Sequence, residues 1–307
     1  MPFCYSSTVT ANFPSHLFIV NPASGNRRGG GIDDTISVFC HSKDVGFEIR
    51  PTTAPGDAGI IAAQGVREGF STIVSVGGDG TSSEIAAQVA GTHVKFAIIP
   101  RGSGNDFPSA CSIPLSASAA LETAVTGKCM NVDAGTLDGK MFINGLGIGM
   151  DGAIADCFPR YRFLGGFAGY LAAAVAQAFS FEGFPAMATA SGRNVEGRCL
   201  FMGVSNGASQ GGFKISPSAK PDDGLLDFHF AFDMRAPVRI ARLVSVAAGG
   251  GGGGWMERIQ TERAEFETSR DLPAHMDGEP FVLKAGRHEV SVRKGALKVL
   301  SPEGFLS

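Results

Sequence analysis

The sequence predicts an α/β domain followed by a mainly β domain, with the functional site in the cleft between them. Three observations carry this expectation. Over the first 130 residues, short β-rich apolar runs alternate with helical stretches, the pattern of a parallel sheet with helices on its faces. After about Val132 longer β-type runs follow one another, as in an antiparallel sheet. Glycine or small polar clusters stand at the ends of the early strands, and ligands of open α/β sheets bind at those carboxyl ends.

In chain order, the strand candidates of the first half are His16–Val20, Phe47–Pro51, 72–76 and 94–99, each apolar and β-prone. Asp57–Glu68 (DAGIIAAQGVRE) and 82–90 (SSEIAAQVA) read as the helices between them. In the second half the β-type runs are 140–148, 198–205, 225–232, 281–283 and 288–293, with helices at 163–180 and 236–247. The division falls at 14–132 and 133–295. The glycine run 249–254 can be neither helix nor stable strand at reasonable cost. It reads as a connector, with a mobile lid as the alternative. The segment 163–179 (FLGGFAGYLAAAVAQAF) reads as a buried or interfacial helix, since it includes Gln177 and three glycines and only reaches the minimum spanning length of about 17 residues.

Composition narrows the functional classes. The 307 residues, 44% of them hydrophobic, suffice for two cores. A net charge of -3, from 26 basic and 29 acidic residues, gives no overall field to draw in nucleic acid. The six cysteines (4, 40, 111, 129, 157 and 199) form no C-x-x-C pair, which argues against a zinc site or a disulfide framework. The first dozen residues read as a loose tail with no signal-peptide pattern, so a reduced, cytoplasmic setting is expected.

The chemistry concentrates in the loops 21–26 (NPASGN), 77–84 (GGDGTSSE) and 100–106 (PRGSGND). Glycines let backbone N–H groups approach an anion, and a following helix N-terminus adds positive potential. Three such loops in one sheet signal a polyphosphate. Neither G-x-x-x-x-G-K-[ST] nor a first-strand G-x-G-x-x-G occurs, so the phosphates are held by another device. Asp79 lies inside the second loop, where a carboxylate beside phosphates needs a bridging cation, and Mg2+ is the oxygen-seeking ion for that position. A helix-capping role is the alternative.

VNPASGNRRGG, VSVGGDGTSSEIA, IIPRGSGNDF, FINGLGIGMDG, SPSAKPDDGLLD and HMDGEP occur in this order from about residue 16 to the C-terminus. The set resembles the diacylglycerol kinase catalytic family, which includes bacterial diacylglycerol and phosphatidylglycerol-type lipid kinases and is related to sphingosine and ceramide kinases. The resemblance implies an NAD-kinase-like two-domain fold, with an N-terminal parallel-sheet α/β domain and a C-terminal β-sandwich domain. It also implies that the final strand, about 296–307, returns to the first domain. The implied activity is ATP-dependent, Mg2+-assisted transfer of a phosphoryl group to a lipid hydroxyl.

By the same resemblance, Asn21, Ser24 and Gly25 lie against the nucleotide phosphates and Thr52 contacts the nucleotide. Gly77, Gly78, Asp79, Gly80 and Thr81 wrap the phosphates, and Ser103 and Asn105 complete the pocket. Glu279 corresponds to the general base and Asp277 to a partner near the metal. Asp223, with the carbonyls of Lys220 and Leu225, corresponds to a second, structural Mg2+ site. From the residues alone, Thr52 reads equally as part of a turn entering a helix, 277–280 as a hairpin turn and 222–226 as a turn before a strand.

Ser83 stands where the family often has asparagine; it keeps one donor and one acceptor function. An NAD kinase shares the GGDG loop but is expected to carry an Asn-Glu pair where this chain reads SGND at 103–106. A silent nucleotide or lipid sensor is disfavoured by intact Asp79, Asp277 and Glu279. Arg101, Arg160, Arg162 and Lys214 face either lipid headgroups or solvent. The phenylalanine-rich stretch 158–184 packs as core or lines an acyl channel, and it implies peripheral membrane contact. The identity of the lipid stays open, as does the oligomeric state, of which a homodimer is one possibility.

Overall fold

The structure, a computed structural model, describes residues 15–25, 31–247 and 254–302. The loose-tail reading, the Asn26 end of the first loop, glycines 249–253 and the last five residues lie outside the described residues, as does the side chain of Arg162.

The first half follows β1 His16–Val20, α1 Ile32–Ser42, β2 Phe47–Pro51, α2 Asp57–Glu68, β3 Thr72–Gly77, α3 Asp79–Val89, β4 Lys95–Pro100, α4 Asp106–Ala110 and α5 Ala117–Thr126. β2, β1, β3 and β4 lie in that order, all parallel, with His16 opposite Phe47 and Thr72, and Thr72 opposite Lys95. β1 and β3 are buried along their whole length, which explains their near-continuous apolar sequence. Leu17, Ile19, Ile73, Val74, Phe96 and Ile98 form the centre of this core. The parallel arrangement puts the carboxyl ends of all four strands, and so Asn21, Thr52, Gly78 and Arg101, on one edge.

The second half comprises β5 Lys128–Leu137, β6 Lys140–Phe142, β7 Gly145–Gly149, α6 Met150–Cys157, a 3-10 turn Phe158–Leu164, α7 Gly166–Ser180, β8 Phe184–Ala190, β9 Arg193–Ser205, β10 Leu226–Phe232, α8 Ala236–Ala247, β11 Met256–Thr261, β12 Arg263–Thr268, β13 Leu272–Met276, β14 Glu279–Leu283 and β15 Gly286–Ser301. Its strands run antiparallel in the order β14, β13, β7, β9, β8, β12, β15, with β10 and β11 branching from β9. Phe142, Leu146, Phe184, Met202, Phe228 and Phe266 belong to this second core. Among the described residues, no helix is long and apolar enough to cross a membrane.

Two long strands join the halves. β15 pairs with β12 over Gly286 to Ser291, changes register between Arg293 and Leu297, and then runs parallel to β4 at Lys298 and Val299. β5 accompanies it throughout, from Leu137 opposite Val290 to Lys128 opposite Ser301. Leu297 and Val299 are buried in the first core and Val290 in the second.

Two local differences from the sequence expectation shape the site. The run 140–148 is two strands, β6 and β7, because the backbone N–H groups of Ile143, Asn144 and Gly145 turn aside to bond Asp277. The helix expected from residue 82 begins at Asp79, so part of the second glycine loop is itself a helix N-terminus.

Candidate active site

The N-terminus of α3 is the centre of the site. Gly78 caps it in extended conformation without a side-chain hydrogen bond, which leaves first-turn N–H groups open to an anion. A Cβ on Gly102 would stand 2.9 Å from Gly78 Cα, so only glycines let the second and third loops touch here. Asn21 Nδ2 donates to Thr81 Oγ1 at 3.0 Å, and Ser24 Oγ donates to the Asn21 carbonyl at 2.7 Å. These bonds fold the first loop onto α3. The Arg101 guanidinium lies against Gly25.

These loops border a cleft of about 940 Å³ lined by Asn21, Ser24, Gly25, Thr52, Gly78, Gly80, Thr81, Ser103 and Glu279. Most of the expected nucleotide contacts therefore share one concavity, which is within the size range of ligand sites. Thr52 is buried and donates its N–H to the Val20 carbonyl, while Asp57 ties the following turn through Thr53 and Ala54. Gly77 packs behind Thr81. Asn105 folds its own loop: its amide accepts from Gly102 N and donates to Gly102 O, both at 2.9 Å.

A smaller cavity of about 220 Å³ lies beside this cleft and shares Ser103 with it. Asp79, Asp106 and Asp277 line part of it, and Phe158 and Tyr170 supply aromatic wall. Asp79 Oδ2 accepts from Asn105 N at 2.8 Å, whereas Oδ1 is buried without a partner. Burial, followed by the charge of Asp106, pushes the Asp79 carboxyl up to about 6, with Asp277 adding to the effect. Burial also raises Asp106, whose Oδ1 accepts from Gly212 N at 3.1 Å.

Asp277 is held more firmly. Its Oδ1 accepts from Asn144 N at 2.8 Å and Gly145 N at 3.0 Å; its Oδ2 accepts from Ile143 N at 2.9 Å and Ser83 Oγ at 2.7 Å. One carboxylate thus joins α3 to β6 and β7. Asp277 and Gly278 have φ of 49° and 86° and connect Met276 to its cross-strand partner Glu279, as in a type I′ hairpin turn. The hairpin-turn reading of 277–280 is thus the backbone's own, and this tight turn carries Asp277 and leads into Glu279. Glu279 is exposed, and a Cβ on Gly80 would stand 3.0 Å from its Oε1.

The donor set at Asp79 fits a divalent cation. No group of three or more His, Cys, Asp or Glu residues among the described residues could hold a metal by itself. Mg2+, however, usually takes one or two carboxylates and completes its shell with substrate phosphates and water, and a buried, unpartnered Asp79 Oδ1 among other acidic groups is suited to that use.

At the remote site, Asp223 Oδ1 accepts from Leu225 N at 2.9 Å, and burial, followed by Asp227, Asp133 and Asp222, raises its carboxyl. Lys220 is exposed. Asp133 binds Gly224 N and Gly295 N, both at 2.7 Å, fastening this loop to β15.

Sequence reasoning did not assign Asp106, although it ends the third motif, nor Glu84, which accepts from Gly56 N at 3.0 Å and ties α3 to α2. His275, Asp151 and Tyr170 also went unassigned; the Asp and His stand in two of the quoted motifs.

Comparison with known proteins gives a consistent picture. Residues 15–137 match the diacylglycerol kinase catalytic domain, and residues 145–301 match the YegS C-terminal NAD kinase beta sandwich-like domain. A protein of Pseudomonas aeruginosa (strain UCBPP-PA14) named "Probable lipid kinase YegS-like" is 31% identical over 281 residues, which cover 89% of this chain and 91% of that one. A Chromohalobacter salexigens protein of the same name is 30% identical over 264 residues, 83% and 84% of the two chains. The crystal structure of a diacylglycerol kinase from Bacillus anthracis str. Sterne aligns with a TM-score of 0.72 at 21% identity, over 94% of this chain and 97% of that one, and so shares the fold.

Proposed function

The chain belongs to the lipid kinases built from a diacylglycerol kinase catalytic domain and a YegS-type β-sandwich domain, and from that premise we propose that it transfers the γ-phosphoryl group of ATP to the hydroxyl of a diacylglycerol-like lipid. The observation that carries the proposal is the junction of two cavities at Ser103. One is walled by the glycine loops, and the other joins carboxylates to aromatic side chains. A nucleotide in the first and a lipid hydroxyl in the second come together at the N-terminus of α3.

In the transfer, the hydroxyl oxygen forms a bond to the γ-phosphorus, the bond from that phosphorus to the β,γ-bridging oxygen breaks, and ADP leaves. The hydroxyl proton passes to Glu279, which stands against Gly80 at the phosphate loop. Asn21, Ser24, Thr81 and the open N–H groups of α3 orient the phosphates, and positioning of this kind supplies much of the rate in phosphoryl transfer. Asp79 would hold Mg2+, which when bound would supply charge neutralisation for the phosphate oxygens. Asp277, with its four hydrogen bonds, keeps α3 and the Glu279 hairpin in register.

A second assignment of the base has its own support. Asp79 lines the acceptor cavity and Glu279 the nucleotide cleft, and a carboxyl pushed up to about 6 suits proton acceptance near neutral pH. Incubation with γ-labelled ATP, Mg2+ and detergent-dispersed diacylglycerol tests both. Label in the organic phase establishes the reaction. The variant that loses kcat at saturating Mg2+ identifies the base, and the one whose Mg2+ requirement rises identifies the metal ligand, between Glu279→Gln and Asp79→Asn. Label remaining in water with ATP bound points to a soluble acceptor.

Asp223, with the carbonyls of Lys220 and Leu225, is proposed to take a second Mg2+ that fastens the 216–227 loop. Mg2+ without nucleotide then raises the Tm of the wild type and not of Asp223→Asn; equal shifts would leave the segment a plain turn. Access to the lipid is by peripheral membrane contact, supported by exposed Phe163, Leu164 and Phe179 around the α7 segment.

A further inference from the structure

Beside the acceptor cavity, two buried side chains and the half-buried Tyr170 form a hydrogen-bonded chain that the transfer described above does not use. Tyr170 Oη donates to Asp151 Oδ1 at 2.9 Å, and His275 Nε2 lies 3.2 Å from Asp151 Oδ2. Gly278 N in turn donates to His275 Nδ1 at 3.3 Å. Asp151 and His275 are only 8% and 6% exposed. A neutral imidazole that accepts at Nδ1 carries its proton on Nε2, which here faces Asp151. The chain begins on α7, passes through α6 and ends at the two-residue turn bearing Asp277 and leading to Glu279.

Burying an ionisable group is costly unless its partners are well placed, and apolar side chains of similar volume would satisfy the packing. The polar chain is aimed at one backbone N–H, that of Gly278, in the middle of the turn. Asp277 secures the front of the same turn to β6 and β7. Apart from this second tie, the turn is held by the bonds of Asp277 and by the Met276–Glu279 pair at its base.

We infer that Tyr170, Asp151 and His275 are positioning residues that fix the 277–279 turn, and with it Glu279, from the lipid side of the site. Tyr170 and His275 also line the acceptor cavity, so a lipid lodged there bears on the same chain that sets the turn. The inference rests on the reading that Glu279 takes part in the transfer, and its test separates the two.

His275→Gln and His275→Asn divide the ring's functions: glutamine reaches Asp151 and leaves Gly278 without its acceptor, while asparagine presents an oxygen near the Nδ1 position and gives up Asp151. The full chain is assayed for kcat, for ATP dissociation constant and for amide hydrogen exchange over residues 276–281. For His275→Gln we expect faster exchange in that segment and a kcat lower by about 10- to 100-fold, the scale of a misplaced group, with ATP affinity within two-fold of wild type. His275→Asn recovers part of the loss, and Tyr170→Phe, the mildest change, shows a smaller effect in the same direction. In a Glu279→Gln background, His275→Gln lowers kcat no further. Unchanged exchange at 276–281 in His275→Gln overturns the inference whatever the role of Glu279. Full activity of Glu279→Gln overturns the reading of Glu279 instead, and the exchange data then decide the hairpin tie alone.

Discussion

At the scale of the residue, Asp79 carries an electrostatic cost that the proposed Mg2+ would offset. Its carboxyl is pushed up to about 6 by burial and by Asp106. A carboxyl with a folded value above its unfolded value stabilises the fold fully only below the ordinary carboxylate range, and that contribution is lost as pH rises through about 6. In EDTA, Asp79→Asn should therefore have a Tm above that of the wild type by a margin that grows as pH rises from 5 through about 6. A constant margin across that range would remove the electrostatic account. Because Mg2+ needs the ionised carboxylate, Mg-ATP should raise the wild-type Tm more at pH 7.5 than at pH 5.5. Ser83 carries a second prediction. It supplies one of the four donors to Asp277, so Ser83→Ala should cost about 1 kcal/mol in urea unfolding and lower kcat several-fold, whereas Ser83→Asn, which restores a donor, should do less harm. An activity loss in Ser83→Asn as large as in Ser83→Ala would mean that the bond to Asp277 is not what matters.

At the scale of the element, α7 and the 3-10 turn before it face two ways. Phe158 and Tyr170 line the proposed acceptor cavity, while Phe163 is 81% and Leu164 48% exposed between them in sequence. Arg160, in the same turn, is exposed and in no ion pair among the described residues. Phe163→Glu with Leu164→Glu should thus reduce flotation with anionic liposomes several-fold while leaving turnover of a short-chain, water-dispersed diacylglycerol near that of the wild type. Unaltered flotation would place membrane contact elsewhere. The elements differed in how plainly the sequence displayed them. β1 as a short apolar run, β2 as a β-prone run and α2 as a helical stretch have the expected bounds. β6 and β7 read as one run because the interruption at Asn144 is caused by Asp277, 133 residues away. α3 reads late because its first turn, from Asp79 to Ser82, is glycine and polar residues with no apolar periodicity. The glycine loops were legible as motifs because each is contiguous in sequence, whereas the Tyr170, Asp151 and His275 chain is joined only by tertiary folding, so that no local pattern shows its connection.

At the scale of the whole molecule, the decisive feature is that the two cores have strands in common. β15 contributes Val290 to the second core and Leu297 and Val299 to the first, and β5 pairs with it along the whole crossing. Separating the halves would break both long strands in mid-course and expose Leu297 and Val299, so neither core can open without disturbing the other. The two parts should therefore unfold as one cooperative unit, although chains of this size often unfold in steps. The sequence provides a clean reporter, because the single tryptophan, Trp255, packs edge-on against Phe201 in the second half at 6.1 Å. ATP, by contrast, is expected to bind the loops of the first half. If the halves are coupled, Mg-ATP at 100 times its Kd should stabilise the Trp255 transition by about 2.7 kcal/mol, with the tryptophan and far-UV circular dichroism midpoints coinciding. A tryptophan midpoint that ignores ATP while the circular dichroism curve splits in two would show that β5 and β15 do not hold the halves together. Coincident, ATP-shifted curves would mean that the strands which place Asp277 and Glu279 over α3 also transmit nucleotide binding to the lipid-facing half.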